Sequence, residues 1–531
     1  MSLRCVLLFR TNGCSALKMR KLQTRFPFLL FSKSVKRFIG LSKCYSNKKN
    51  LLTLRDERRG FIHDVFPLGS ASELAEWLKG GSRTIYAGFD PTADSLHIGN
   101  LLIIMALMHA QRAGHRVLAL IGGATAKIGD PSGKSSERPP LDDKNVQKNV
   151  AGITENLERI FQNHDEHCLL EKQMHLPASS ADVIPIQIVN NDVWYDKVNI
   201  ITFLRTAGRK FRMGKLLSRD SVKTRLTSGD TKDGGKSDPD GGLNFSEFTY
   251  QVFQAYDWFH LRHHYQCSVQ LGGSDQMGNI ATGHEFISRF SKSPDQWQLI
   301  NKDEKTSEKS NIPAKPNDLP SFGILLPLLT SESGEKFGKS ESGQNRVWLS
   351  AKKTTPYDFY QFFLRLPDSQ IEKMLYFFTF LPPTEISDLM SIHQKESEKR
   401  HPHKKLAECI TRLVHGTKGL ELALKTTDIL YGSGDLSSLS QSEMSTIFSQ
   451  ANYIRLLFTP GMSIIDFTLK IGCFQREKDA QRIISEGGLH INQLRKTNID
   501  ELLIAGVHIL PNNLTLVRVG KRNYYLVEWT M

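Results

Sequence analysis

The sequence predicts an α/β protein of several domains, beginning with a parallel sheet. Three observations carry this. First, 531 residues are too many for one hydrophobic core, while 39% apolar and 23% charged residues are ordinary for a globular chain. Second, residues 84–121 read strand, loop, helix, strand, the repeating unit of a parallel sheet. Third, strand-like runs end on glycine pairs, Gly122-Gly123 and Gly272-Gly273, where a chain leaves a sheet edge for a loop.

In chain order, Arg83 to Ala87 is a short strand, and a turn-rich loop with Gly88, Asp90, Pro91 and Asp94 follows. Leu101 to Met108 is apolar without interruption and Gly114 ends it, the pattern of a buried helix. His97 and Asn100 fall at the start of that helix, where free N–H groups and the positive dipole end attract phosphate, so the loop is a candidate nucleotide site. Val117 to Ile121 is the next strand. Gly129-Asp-Pro-Ser-Gly-Lys-Ser135 looks like a P-loop, but that motif needs glycine at position 128, which is Ile. It is better described as a Gly/Ser loop presenting Lys134 and Arg138. Residues 140–225 have helical spacing, with a strand candidate at Ile184 to Val189. Leu243 to His264 is a long helix with Phe245, Phe248, Val252 and Phe253 at core spacing, Gln266 to Leu271 alternates like a strand, and Ile324 to Leu329 is strand-like. Two polar stretches, 227–242 and 295–318, interrupt this region without core-forming residues. Residues 355–455 are helical in pattern and Pro460-Gly461 marks a boundary. Beyond it come two short helices (Ile464 to Ile471 and Lys478 to Glu486) and strand-like segments at 489–492, 507–510, 514–518 and 524–528.

Charge is unevenly placed. Of 69 Lys and Arg, twelve lie in residues 1–50, where there is no Asp or Glu; the remainder is nearly balanced, 57 basic against 55 acidic. The formal net charge of +14 therefore belongs mostly to an N-terminal segment rich in Arg, Lys and Ser, the composition of a mitochondrial transit peptide. A basic tail that binds RNA has the same composition. Apolar runs there, such as Phe28 to Phe31, are far too short to span a bilayer. The seven cysteines form no Cys-x-x-Cys pair and indicate neither a disulfide framework nor a zinc site, so no metal ligands are assigned.

Five pieces occur in a fixed order: Tyr86-x-Gly-Phe-Asp-Pro-Thr-Ala-Asp-Ser-Leu-His-Ile-Gly-Asn100, Gly129-Asp-Pro-Ser-Gly-Lys134, Tyr250-x3-Gln254-x2-Asp257, Gly272-Gly-Ser-Asp-Gln276 and Lys336-Phe-Gly-Lys-Ser340. Together they closely resemble the tyrosyl-tRNA synthetases of the bacterial and organellar kind, over roughly residues 60–531. The resemblance implies a Rossmann-like parallel-sheet catalytic domain at 48–350, after a transit peptide at 1–47 and with an inserted dimerisation region at about 139–245. It also implies a helical anticodon-side domain at 351–460 and a small α+β S4-like RNA-binding domain at 461–531. The implied reaction joins tyrosine to ATP as tyrosyl-adenylate, then transfers tyrosine to the 3′-terminal adenosine of tRNA(Tyr). ATP enters as substrate, with Mg2+ carried by the nucleotide, and the expected setting is the mitochondrial matrix, in a homodimer with no membrane association.

The attacking carboxylate belongs to the substrate, so such a site needs positive charge and hydrogen bonds where charge grows on the departing pyrophosphate. By resemblance, Thr92 and His97 contact the γ-phosphate and Asn100 helps hold the nucleotide. Lys134 and Arg138 on one loop, with Lys336, Lys339 and Ser340 on another, surround the pyrophosphate. Gly88, Asp90, Gly99, Gly273 and Asp275 line the ATP, Asp275 accepting from the ribose hydroxyls. Tyr86 and Asp257 hydrogen-bond the substrate phenol, and Asp130, Tyr250, Gln254 and Gln276 surround its ammonium. Two departures from the family pattern stand out: Asn100 replaces the last His of the HIGH-type signature, and the KMSKS-type signature reads Lys-Phe-Gly-Lys-Ser. An amide donates a hydrogen bond as a neutral imidazole can. Lys470, Arg476, Lys478, Arg482, Arg495, Lys496, Lys521 and Arg522 make the C-terminal segment a candidate RNA face, and the 399–405 cluster is either a further RNA contact or an exposed turn. The tryptophanyl synthetases share fold and signatures, and a catalytically dead RNA-binding scaffold derived from a synthetase is a rival of another class.

Overall fold

The computed structural model describes residues 59–133, 141–173, 184–227, 242–291, 319–330, 346–431, 452–520 and 523–530. The transit-peptide expectation and residues 228–241 and 295–318 of the polar stretches lie outside them.

The elements are β1 (Asp64–Phe66), α1 (Ala71–Lys79), β2 (Thr84–Phe89), α2 (Ile98–Arg112), β3 (Arg116–Ile121), α3 (Asp143–Gln173), β4 (Gln187–Asn190), α4 (Asp192–Tyr195), α5 (Ile200–Thr206), α6 (Met213–Leu217), α7 (Asp220–Thr227), α8 (Phe245–Tyr265), β5 (Cys267–Gly273), α9 (Met277–Ser291) and β6 (Phe322–Leu326). Then follow α10 (Pro356–Leu364), α11 (Asp368–Phe378), α12 (Pro383–Lys395), α13 (His401–Tyr431), β7 (Asn452–Leu457), α14 (Ile464–Lys470), α15 (Glu477–Ser485), β8 (Leu489–Ile491), β9 (Leu494–Lys496), β10 (Leu514–Val519) and β11 (Asn523–Thr530).

The first sheet has the order β1-β6-β5-β2-β3-β4. Five strands are parallel, as expected, and β1 adds an antiparallel edge that the sequence pattern did not announce. Period-two alternation divides its side chains between two cores. Ile85, Ala87 and Phe89 of β2, with Val117, Ala119 and Ile121 of β3, join the larger cluster on one face. Tyr86, Leu118 and Leu120 join the aromatic cluster around Tyr256, Trp258 and Phe259 of α8 on the other.

The larger cluster runs without a break into the helical region, through Phe359, Phe363, Met374, Leu375, Leu406 and Ile410. The 399–405 cluster is largely structural. Lys399 pairs with Glu396, Lys405 with Glu385, and the fully buried His403 places Nε2 3.0 Å from Leu366 O and 3.1 Å from Asp368 Oδ1.

The second sheet has the order β7-β11-β10-β8-β9 over a core of Ile464, Phe467, Ile484, Val517, Val527 and Trp529. Here the expected helical pattern across 355–455 is corrected at its end: residues 452–457 form β7, which pairs parallel with β11. Asn-Tyr-Ile-Arg-Leu-Leu alternates too briefly to separate strand from helix by periodicity, and its long-range partner decides. Residues 507–510 are not a strand but part of a turn with an isolated bridge, Ala505 to Ile509. Ile184 to Val189 yields only β4, shifted toward its C-terminal end. No described helix is long and apolar enough to cross a membrane.

Candidate active site

The chain lays β3 and β4 on one side of β2 and then crosses to place β5 on the other. At such a reversal the loops leaving the carboxyl ends of adjacent strands part, and a crevice opens there. Gly88 to Asp90 at the end of β2, Gly122 after β3, Asn191 after β4 and Gly272 to Gln276 at the end of β5 all meet at this edge.

At the deep end, Asp257 of α8 is 2% exposed. Its Oδ1 accepts from Trp194 Nε1 at 3.0 Å and its Oδ2 from Asn191 Nδ2 at 3.1 Å. Burial outweighs these donors and raises its carboxyl to about 7. Tyr86 is 1% exposed, and its hydroxyl has no hydrogen-bond partner among the described residues. Burial, then Cys267 and Asp257, push that phenol well above its ordinary range, so it stays protonated. One buried acceptor and one buried hydroxyl capable of donating or accepting thus lie close enough to feel each other's charge, a combination that a group able to donate and accept, such as a phenol, would satisfy.

A relay leads from there toward the entrance. Asn191 Nδ2 also donates to Thr125 Oγ1 at 3.1 Å, Thr125 Oγ1 donates to Asp90 Oδ1 at 3.0 Å, and Tyr250 OH donates to Asp90 Oδ2 at 2.8 Å. Asp90, expected at the nucleotide, is therefore tied to both sides of the crevice. A Cβ on Gly122 would sit 2.0 Å from Asp90 Oδ1, so only glycine lets the two strand ends approach this closely.

The expected ammonium group is also brought together. Asp130 accepts from Ser132 N at 2.9 Å and from Gln276 Nε2 at 2.8 Å. Asn279 of α9, 4% exposed, donates to Gln254 Oε1 and Gln276 Oε1, both at 2.9 Å. A carboxylate and two amide oxygens fixed this way make an acceptor-rich niche that fits an ammonium. Asp275 leans over the carboxyl end of β5, its Oδ1 2.6 Å from where a Gly273 Cβ would stand.

At the outer end, His97 caps α2 reciprocally: its Nδ1 accepts from Gly99 N at 3.0 Å, and its own N–H donates to Asn100 Oδ1 at 3.1 Å. With Nδ1 accepting, the neutral ring carries its proton on Nε2 and presents a donor. Asn100 thus has a capping role that its place in the signature did not reveal. Thr92 and Gly88 are exposed. Lys134, Arg138, Lys336, Lys339 and Ser340 lie outside the described residues.

Sequence reasoning missed Asn191, Trp194, Thr125 and Asn279. Asn191 directly follows β4, at a strand end where site residues gather. Trp194 is set by packing: it stacks on His260 of α8 with centroids 4.2 Å apart. In the C-terminal module, Lys470, Arg476, Lys478 and Arg482 are exposed as expected. Lys496 is instead turned inward onto Glu501, Nζ to Oε1 2.5 Å, and Arg495 donates to the carbonyls of Glu486 and Gly487 at the end of α15. Lys521 and Arg522 lie outside the described residues.

The model of the family described as tRNA synthetases class I (W and Y) matches residues 79–432. The chain is 47% identical to the mitochondrial tyrosine–tRNA ligase of Drosophila melanogaster over 486 residues, 91% of this chain and 95% of that one. It is 41% identical to the mitochondrial tyrosine–tRNA ligase of Homo sapiens (92% and 94% covered) and 35% to the tyrosine–tRNA ligase of Roseiflexus castenholzii (90% and 100%). Its fold matches a C-terminally truncated mitochondrial tyrosyl-tRNA synthetase of Aspergillus nidulans with a TM-score of 0.58 at 32% identity, over 71% of this chain and 93% of that one. A crevice at the strand reversal, a capped His signature at a helix start and relatives matched over nearly their whole length agree: the chain belongs to the class I tRNA synthetases (W and Y).

Proposed function

We propose that this chain is a mitochondrial tyrosine–tRNA ligase, and that the buried pair Tyr86 and Asp257 is what selects tyrosine. The observation that carries the reading is a carboxylate 2% exposed, held by two donors, beside a buried hydroxyl with no partner of its own. The substrate phenol completes both. Phenylalanine would leave them unpaired in a site closed to water, at roughly 1–3 kcal/mol for each group; tyrosine-over-phenylalanine choice in this enzyme class is the standard illustration of that principle. An indole N–H could donate to Asp257 but could not accept from Tyr86, which disfavours tryptophan.

In the reaction we assign, Asp130, Tyr250, Gln254 and Gln276 fix the ammonium and thereby aim the substrate carboxylate at the α-phosphorus. The new carboxylate–phosphorus bond forms as the bond to the bridging oxygen breaks, and pyrophosphate leaves with the electron pair. His97 Nε2–H and the amino end of α2 stabilise charge gathering on the departing phosphates. Thr92 and Asn100 stand beside them, Gly88, Asp90, Gly99, Gly273 and Asp275 border the nucleotide, and Lys134, Arg138, Lys336, Lys339 and Ser340 supply further donors and positive charge. In the second step a hydroxyl of the terminal adenosine attacks the activated carbonyl and AMP departs.

ATP carries Mg2+ into this site in our reading, and the protein works in the matrix. It acts as a homodimer through the region 139–245. Supporting this, Val193, Ile200, Ile201, Leu204 and Met213 are each more than half exposed, next to a cavity of about 230 Å³ lined by Ile128, Tyr195, Val198 and Phe203. We divide the body into a catalytic unit to residue 350, a helical anticodon-side unit, and an S4-like module that begins at β7. Exposed Lys470, Arg476, Lys478 and Arg482 supply the RNA face.

Amino-acid-dependent ATP–pyrophosphate exchange on the full chain tests the reading. Exchange with tyrosine, and little with tryptophan or phenylalanine, is expected. Exchange with tryptophan, or none from folded protein, contradicts it; the second result would favour a scaffold without catalysis.

A further inference from the structure

His97 carries the transition-state contact in the reading above, and this inference rests on that reading. Its cap fixes which nitrogen bears the proton but leaves the face of the ring unsupported by the signature itself. The support comes from residues about 250 positions later in the chain. Residues 95–98 and 347–350 run antiparallel: Ile98 N donates to Val347 O at 3.0 Å, Leu349 N to Leu96 O at 2.8 Å and Ser350 N to Ser95 Oγ at 3.2 Å. This register sets Trp348 opposite His97, and the indole meets the imidazole edge-on at 6.2 Å between centroids.

Trp348 is itself held. Its backbone N–H donates to Thr354 Oγ1 at 3.0 Å, and Lys353 Nζ lies 4.5 Å from the centre of its ring, within cation–π reach. The same ammonium pairs with Asp94, three residues before His97. The Lys353 hydrogen bond keeps the Asp94 carboxyl below its ordinary range, with Lys148 adding attraction from 3.8 Å. Asp94 in turn is seated on α3, where a Cβ at Gly152 would come within 2.1 Å of its carbonyl oxygen. Asp94, Lys353, Trp348 and His97 form one series of contacts that ends on the helix-capping imidazole.

We propose that Trp348 and Lys353, locked by Asp94, are positioning residues for tyrosine activation: they fix the plane of the His97 imidazole so that Nε2–H meets the phosphate where charge develops. They touch no substrate and act through His97. A displacement of the ring by about 1 Å is expected to cost up to about 10²-fold in rate, with little effect on tyrosine binding at the far end of the crevice.

The test is pyrophosphate exchange on the full-length protein with Trp348→Leu and Lys353→Met, the latter keeping an unbranched stem over the indole while removing the charge. The expected result is a fall in kcat of about tenfold or more for Trp348→Leu and about threefold for Lys353→Met, with the KM for tyrosine within twofold of wild type. In a His97→Gly background both substitutions should lose their effect, each changing kcat less than twofold, because the group they position is gone. Equal losses in both backgrounds, unchanged kcat in the wild-type background, or a raised tyrosine KM instead would overturn the proposal. Thermal unfolding identifies a variant that fails to fold; Lys353→Met, at a partly exposed site, then decides alone. A wild-type chain that exchanges with tyrosine separates this proposal from the functional reading; without that exchange both fall.

Discussion

At the phenol end of the crevice Asp257 is 2% exposed and holds two donated hydrogen bonds, whereas at the phosphate end Thr92 is exposed and His97 stands half-buried at a helix start. The contrast follows from what each end does. Choosing between amino acids that differ by one hydroxyl requires polar groups that water cannot satisfy, hence burial on every side. A triphosphate must enter and pyrophosphate must leave, so the other end stays open and relies on a helix start and an imidazole donor. In the proposed reading selectivity therefore lies in a rigid interior and rate in a surface loop, and the relay Asp257, Asn191, Thr125, Asp90, Tyr250 ties the phenol end to the ammonium side.

Substitutions can break this contrast. The largest effect is expected from Asp257→Ala, which removes the phenol acceptor: tyrosine-dependent exchange should fall about 10³-fold or more in kcat/KM, about 4 kcal/mol of transition-state stabilisation. Unchanged preference for tyrosine over phenylalanine in that variant would refute the assignment. Removing a single donor should cost less. Asn191→Ala deletes one hydrogen bond to a carboxylate, worth roughly 1.5–3 kcal/mol, so kcat/KM for tyrosine should fall by about 10- to 100-fold; it also cuts the relay, so stopped-flow measurement of adenylate formation should slow as well. Gly122→Ala should push Asp90 off Thr125 and Tyr250 and weaken the ammonium side, visible as a raised KM for tyrosine.

The pH dependence sharpens the same contrast. Burial raises Asp257 from an ordinary 3.8 to about 7. The ionised form accepts from the phenol, so kcat/KM for tyrosine should climb as pH rises through about 7. Stability of the empty protein moves the opposite way. Between about 4 and about 7 the folded state keeps a proton that the unfolded chain has released, so stability falls as pH rises across that window. Asp257→Asn should flatten both curves. The smallest effect is expected at the RNA face: Arg482→Ala should lower tRNA charging about threefold and leave pyrophosphate exchange unaltered, because an exposed cation contributes roughly one phosphate contact.

Much of this was legible in the residues, unevenly so. The strand, loop and helix around residues 84–112 follow from local pattern, because an uninterrupted apolar run beside turn residues has few other readings. The motifs single out Tyr86, Asp130, Gln254 and Asp257 as candidate site residues, and the fold links them through Asn191, Gln276 and Asn279 or through charge. Asn191, Thr125 and Asn279 were not found: they bind to other side chains, and ordinary polar residues carry no sign of such partners. β7 was read as helix because its pairing partner, β11, lies about 70 residues downstream. Lys496 has the pattern of a surface cation, but the fold turns it onto Glu501. What the sequence withheld was, in each case, a partner that only the folded backbone brings near.

The most direct test of the account is the ratio of tyrosine- to phenylalanine-dependent pyrophosphate exchange, measured on wild type and on Asp257→Ala with the fold verified in both. The account predicts a strong preference in wild type that collapses in the variant. A preference that survives the loss of Asp257 would contradict it.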